Sequence, residues 1–193
     1  AAKESGYPLF ILGGGANILV SDEGIRGVVL DITGLKRIES EEHHLLCQAG
    51  AEVTAVTSFA AQSGLGGIDF LHSMPGTIGG AVWMNARCYG SSIVDILTEV
   101  RGVTEGGETF VYHPERGDFD YKRSPFQSRR DVITSCTFSL HREESAEIWD
   151  RMIGYYKDRE SKGHFALPSA GSIFKNNRDF GRPSGAIIDS IGM

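Results

Sequence analysis

The chain has 193 residues, 40% of them hydrophobic, enough for one sizeable core or two small ones. Its formal net charge of −6 gives no basic footprint and argues against a nucleic-acid partner. No stretch approaches membrane-span length and no signal peptide is recognised, so neither a membrane association nor a secreted protein is expected.

From the N-terminus, residues 1–6 read as the end of a helix capped by Gly6. Short apolar or β-branched runs bounded by turns predict strands over residues 9–12, 18–20, 27–31 and 45–49. Apolar residues Val53, Val56, Phe59 and Ala60 predict an amphipathic helix over 53–63, ended by Gly64. Residues 68–86 read as a loop running into a short helix or turn. Strands are then predicted over 95–104 and 108–113, joined by the turn Glu105-Gly106-Gly107. A third runs over 131–141, where Val132, Thr134, Cys136, Phe138 and Leu140 alternate. The clearest helix is 143–160, with Ile148, Met152, Tyr155 and Tyr156 on one face. Residues 164–169 form a loop, and 184–193 a helical pattern. Both ends of the chain read as cut. The whole is α+β, with a boundary expected in the 142–165 region.

Cys47, Cys88 and Cys136 are odd in number and far apart in sequence, without metal-ligand spacing. They are expected to be free thiols in a reducing, cytoplasmic setting, with no metal centre. His43 and His44 are adjacent, so on a strand they would face opposite ways and not share a ligand.

Two glycine clusters stand out. Gly13-Gly14-Gly15-Ala16-Asn17 lies between two strand-like runs. Glycines there permit φ > 0 and let successive N–H groups close on an anion such as a pyrophosphate, while Asn17 can brace the turn. Pro75-Gly76-Thr77-Ile78-Gly79-Gly80 is the second cluster and leads to Asn85. Neither is the GxGxxG of a nicotinamide fold, and a glycine triplet taken alone is more often a plain loop.

Ser172, in Ala170-Gly171-Ser172-Ile173-Phe174-Lys175-Asn176, can present its hydroxyl to a ligand or simply cap a turn. Lys122 and Arg123 can hold a carboxylate and stabilise developing negative charge, or form a solvated basic turn. Arg159 and Lys162, near the end of the long helix, favour its dipole and are equally able to hold a phosphate. Asp69 and His72 read as structural.

Together these segments resemble the UDP-N-acetylenolpyruvoylglucosamine reductase family. Residues 13–22 resemble its GGGSN(I/L)L(V/I) segment, with Ala16 where Ser is common. Residues 67–71 and 74–86, completed by Cys88-Tyr89-Gly90, resemble its GLEFLxGIPGxIGGAVxMNAGAYG block. Residues 170–176 resemble AGSxFKNP, with Asn177 in place of Pro. The short link from Leu140 to Ala170, without an inserted tyrosine loop, resembles the second of the family's two subtypes.

This resemblance implies an FAD-binding domain of the vanillyl-alcohol-oxidase type over 1–142, followed by the start of a smaller α+β substrate domain over 143–193. It implies an upstream subdomain and a C-terminal catalytic Glu that these residues do not include. The FAD pyrophosphate would lie over Gly13, Gly14, Gly15, Ala16, Asn17, Pro75, Gly76, Thr77, Gly79, Gly80 and Asn85. NADPH would reduce the flavin, and N5 would pass hydride to the vinyl carbon of the UDP-sugar enolpyruvyl ether, in peptidoglycan precursor synthesis. Ser172 matches the proton donor. Lys162 and Asn176 match substrate positions, and Arg159 and Lys175 are placed with them. The family's active-site Arg directly follows Tyr. Here Lys122 holds that place, so either Lys122 does the work without bidentate geometry, or the turn shifts to present Arg123. No obligate protein partner is implied. The alternatives are another FAD oxidoreductase of the same fold, or a non-catalytic flavin-binding fragment.

Overall fold

In the computed structural model, which describes residues 6–115, 117–167, 171 and 174–192, the first element is β1 (Leu9–Leu12), paired in parallel with β2 (Val28–Asp31). The predicted strand over 18–20 does not form. Ile18, Leu19 and Val20 are exposed, and no described strand lies alongside them. An apolar run with no neighbouring edge has nowhere to send its backbone hydrogen bonds as a ladder. The predicted helix end at residues 1–5 lies outside the described residues.

The strand predicted over 45–49 forms as β4 (His44–Gln48), but its hairpin partner β3 (Ile38–Glu41) was missed, with Glu42 at φ +51° in the connection. Its turn carries no Gly, Asn or Asp, and its first strand is half acidic, so neither turn chemistry nor apolar alternation marks it. Because His43 belongs to the turn, its ring comes within 4.1 Å of the His44 ring, rather than facing away.

Helix α1 (Val53–Gln62) buries Val53, Val56, Thr57, Ala60 and Ala61, and Gly64 turns the chain at φ +64°. The two-residue β5 (Leu65–Gly66) and a 3-10 turn over Asp69–Leu71 lead to α2 (Ile78–Trp83). A small hairpin, β6 (Arg87–Cys88) with β7 (Ser91–Ser92), precedes β8 (Leu97–Val103) and its partner β9 (Thr109–Tyr112). Then come β10 (Val132–Ser139) and the two-residue β11 (His141–Arg142).

The main sheet is antiparallel, in the order β3-β4-β10-β8-β9. Its register aligns Cys47, Cys136 and Val100 in one row and Leu45, Phe138 and Leu97 in the next. All six are buried, and α1 and α2 cover that face. Strand β10 does not alternate along its whole length. A bulge between Ile133 and Ser135 switches the buried face, so Ile133 rather than Thr134 points inward. Burial pushes the Cys47 thiol up to about 12, and Cys136, also buried, higher than an ordinary thiol. All three cysteines are free.

Helix α3 (Ser145–Ser161) buries Ile148 and Met152 against Ala61 of α1. Of the other two residues predicted for that face, Tyr155 is half-buried and Tyr156 is exposed against Phe165. β11 pairs with β5, so residues 141–161 are packed on the body that precedes them. The last element, α4 (Ser184–Ser190), buries none of its side chains.

Candidate functional site

The two glycine clusters meet. Gly13-Gly14-Gly15 leaves the C-terminal end of β1, and Gly76-Thr77 leads into α2. A Cβ on Gly14 would lie 2.9 Å from Gly76 Cα, and one on Gly13 would lie 2.6 Å from Thr77 Oγ1. Gly15 and Gly76 adopt φ of +66° and +109°, a region that L side chains resist. Among the described residues, no backbone N–H from Gly13 to Asn17, nor those of Gly76 and Thr77, donates to a protein acceptor. Unpaired amides converging from two bends suit an anion with several oxygens.

Not every predicted member serves that purpose. Gly79 is buried, with room only for hydrogen because Ala49 Cβ would lie 2.7 Å from its own. Thr77 Oγ1 accepts from Gly80 N, closing the first turn of α2. Asn17 is exposed and makes no side-chain hydrogen bond among the described residues, so it does not brace the turn.

A cavity of about 420 Å³ opens beside these loops, lined by Gly14, Pro75, Gly76 and Thr77 on one side. Thr33, Lys36, Glu52 and Thr54 line the other. Lys36 makes no ion pair among the described residues. Sequence reading missed this lysine. It lies in a turn after β2 that brings it to the cavity, and only the tertiary contact gives it significance. The residues fit a dinucleotide diphosphate: free amides, glycines where side chains would intrude, and one uncommitted cation.

The predicted cations Lys122 and Arg123 occupy a tight turn. Asp120 and Arg123 exchange backbone hydrogen bonds of 3.0 and 3.1 Å, and Lys122 has φ +53°. Neither cation has a carboxylate partner among the described residues. Asn85, predicted at the cofactor, is buried and donates from Nδ2 to Asp120 O at 2.8 Å. Its Oδ1 is buried without a partner.

Arg159 lies on the last turn of α3, with one guanidinium nitrogen 3.3 Å from Cys88 Sγ and its Nε buried and unpaired. Its Cζ sits 5.9 Å from the centre of the Tyr89 ring, which stacks on Tyr155. Lys162 is bonded to Asp158 at 2.7 Å. Lys175 and Asn176 are exposed, and both brace the start of α4: Ser184 Oγ donates to Lys175 O, and Asn176 Oδ1 accepts from Ser184 N. Ser172 lies outside the described residues. Asp69 and His72 are engaged in the fold, with Asp69 on Arg151 and His72 Nδ1 3.0 Å from Thr57 Oγ1. Burial, then the charge of Arg159, lowers the His72 pKa below its ordinary value.

Residues 1–112 match the family model of the FAD binding domain. The chain carries an FAD-binding domain of the vanillyl-alcohol-oxidase type, and a 6-hydroxy-D-nicotine oxidase from Arthrobacter nicotinovorans shares that fold (TM-score 0.57 at 21% identity, covering 73% of this chain and 32% of that one). It is 41% identical, along its whole length, to the UDP-N-acetylenolpyruvoylglucosamine reductase of Borrelia garinii subsp. bavariensis, of which it spans 63%. It is 33% identical to that of Treponema pallidum, of which it spans 67%. The crystal structure of the Thermus caldophilus reductase superposes with a TM-score of 0.82 at 29% identity, covering 99% of this chain and 69% of that one. The chain belongs to the UDP-N-acetylenolpyruvoylglucosamine reductase family.

Proposed function

We propose that this chain forms the FAD-binding body and part of the substrate site of a reductase that converts UDP-N-acetylglucosamine enolpyruvate to UDP-N-acetylmuramate with NADPH. It would act in the cytoplasm, in peptidoglycan precursor synthesis. The division we propose is a cofactor domain over 1–142 and the start of a substrate domain over 143–193, with α3 docked on the first. The observation that carries the reading is the contact between the two glycine loops, where unpaired amides face a cavity that Lys36 also lines. The reductases that this chain resembles supply the substrate class.

The loops at residues 13–17 and 76–77 would hold FAD, which when reduced would supply hydride for the terminal vinyl carbon. The rest falls to side chains. An enol ether accepts hydride poorly unless its carboxylate is held and charge building at the neighbouring carbon is stabilised. Lys122, or Arg123 beside it, serves the carboxylate. Arg159, Lys162, Lys175 and Asn176 serve the UDP-sugar. Ser172 delivers its Oγ proton to the carbon that takes no hydride.

The test follows flavin colour anaerobically. The protein with its native flanks purifies yellow, bleaches with NADPH and regains colour with the enolpyruvyl sugar. Ser172→Ala bleaches normally and recovers slowly. Bleaching without substrate-dependent recovery in the unmodified protein points instead to another FAD oxidoreductase of this fold.

A further inference from the structure

One short helix joins the glycine loops to the cation turn. Helix α2, capped by Thr77 beside Gly13 and Gly14, ends about 9 Å away at Trp83. The last carbonyls of a helix have no partner within it and must find donors elsewhere. The carbonyl of Trp83 finds two. Ser124 Oγ donates to it at 2.7 Å and Gln127 Nε2 at 3.1 Å.

Both donors come just after the cation turn. Ser124 is buried and directly follows Arg123, and Phe126, fully buried, anchors the next turn of chain. The same Gln127 nitrogen also donates to Lys122 O at 3.0 Å. Asn85, just past α2, holds Asp120 O from the other side. These bonds surround a residue in a conformation it would not choose. Lysine at φ +53° gives up about 1 kcal/mol relative to the right-handed region. Glycine meets the same demand at no steric cost. Strained positions held by their surroundings gather at functional sites.

We propose that Ser124 and Gln127 are positioning residues for the substrate carboxylate. They bolt the Asp120–Arg123 turn to the C-terminal carbonyl of α2, so that the turn's cation keeps a fixed place relative to the glycine loops at the helix's other end. This rests on the reading above, in which that cation holds a carboxylate. The clamp acts on where the charge sits, since neither side chain carries one.

The test uses Ser124→Ala and Gln127→Met in the flavin-loaded protein, the second keeping bulk while losing the bonds its Nε2 donates to Trp83 O and Lys122 O. Two ligands are titrated by their perturbation of the flavin spectrum: UDP-N-acetylmuramate, which carries the carboxylate, and UDP-N-acetylglucosamine, which lacks it. The proposal expects each variant to bind the first about tenfold more weakly and the second within about twofold of the unmodified protein. NADPH bleaching stays unchanged, and recovery with the enolpyruvyl sugar slows about 10- to 100-fold. Unchanged affinity for both ligands overturns the proposal. Equal loss for both also overturns it, since that marks a merely structural role. Failure of the underlying reading looks different: the unmodified protein would then bind neither ligand.

Discussion

A methyl group at position 79 has no room, because its carbon would sit 2.7 Å from Ala49 Cβ and 3.0 Å from Ala49 O. Gly79 therefore serves the packing of α2 on Ala49, just past β4, whereas Gly13, Gly14 and Gly76 lie where the two loops meet. The sequence presents all of them as one kind of signal, since a glycine's neighbour in space is not written beside it. We predict that Gly79→Ala costs about 1–3 kcal/mol of stability in urea denaturation of the flavin-free protein. The cations divide in the same way. Lys122 occupies the strained position and its carbonyl is held by Gln127, while Arg123 closes the turn through its backbone. Lys122→Ala is expected to cost more turnover than Arg123→Ala in steady-state assays, and the reverse ranking would assign the carboxylate to Arg123.

At the scale of elements, α3 is latched to the cofactor-binding body by Arg151. Its guanidinium reaches buried Asp69 at 3.0 Å and both oxygens of Glu143. Burial alone would raise the Asp69 pKa, but the bonds from Arg151 and the N–H of Gly67 outweigh it and hold the carboxyl below its ordinary value. Hydrogen bonding from Arg151 likewise lowers Glu143. Carboxylates depressed in the folded state stabilise it fully above their unfolded pKa, about 4, and lose that contribution as pH falls through the lowered values. Melting temperature should therefore drop as the pH falls below about 4, and Asp69→Asn should shrink that drop. Because the Arg151 side chain is 38% exposed, Arg151→Ala is expected to cost only about 2 kcal/mol at neutral pH. A loss confined to a few tenths would mean that the other contacts of α3, Ile148 and Met152 among them, hold it without the latch. The helix itself was legible from its 3.6-residue apolar period. The latch was not, because Asp69 and Arg151 are remote in sequence and neither belongs to a motif.

For the whole molecule, local pattern disclosed the strands whose apolar residues alternate and whose turns carry glycine, such as β8 and β9. It missed β3, whose turn has no glycine, and overcalled residues 18–20, whose composition suits a strand that has no partner. It also carried the alternation of β10 through a bulge that only the pairing with β8 reveals. The glycine loops were legible as loops, and their meeting was not. That meeting also brings Lys36 to the cavity, a residue with no local signal at all. Everything functional rests on those two bends closing on one diphosphate. The most direct test is the affinity for FAD, by fluorescence titration, of Gly14→Ala beside Gly154→Ala, a control on α3 where an added methyl meets nothing. The account predicts at least about tenfold weaker binding for Gly14→Ala, from a side chain driven into the Gly76 backbone, and unchanged binding for the control. Unaltered FAD affinity in Gly14→Ala would contradict it.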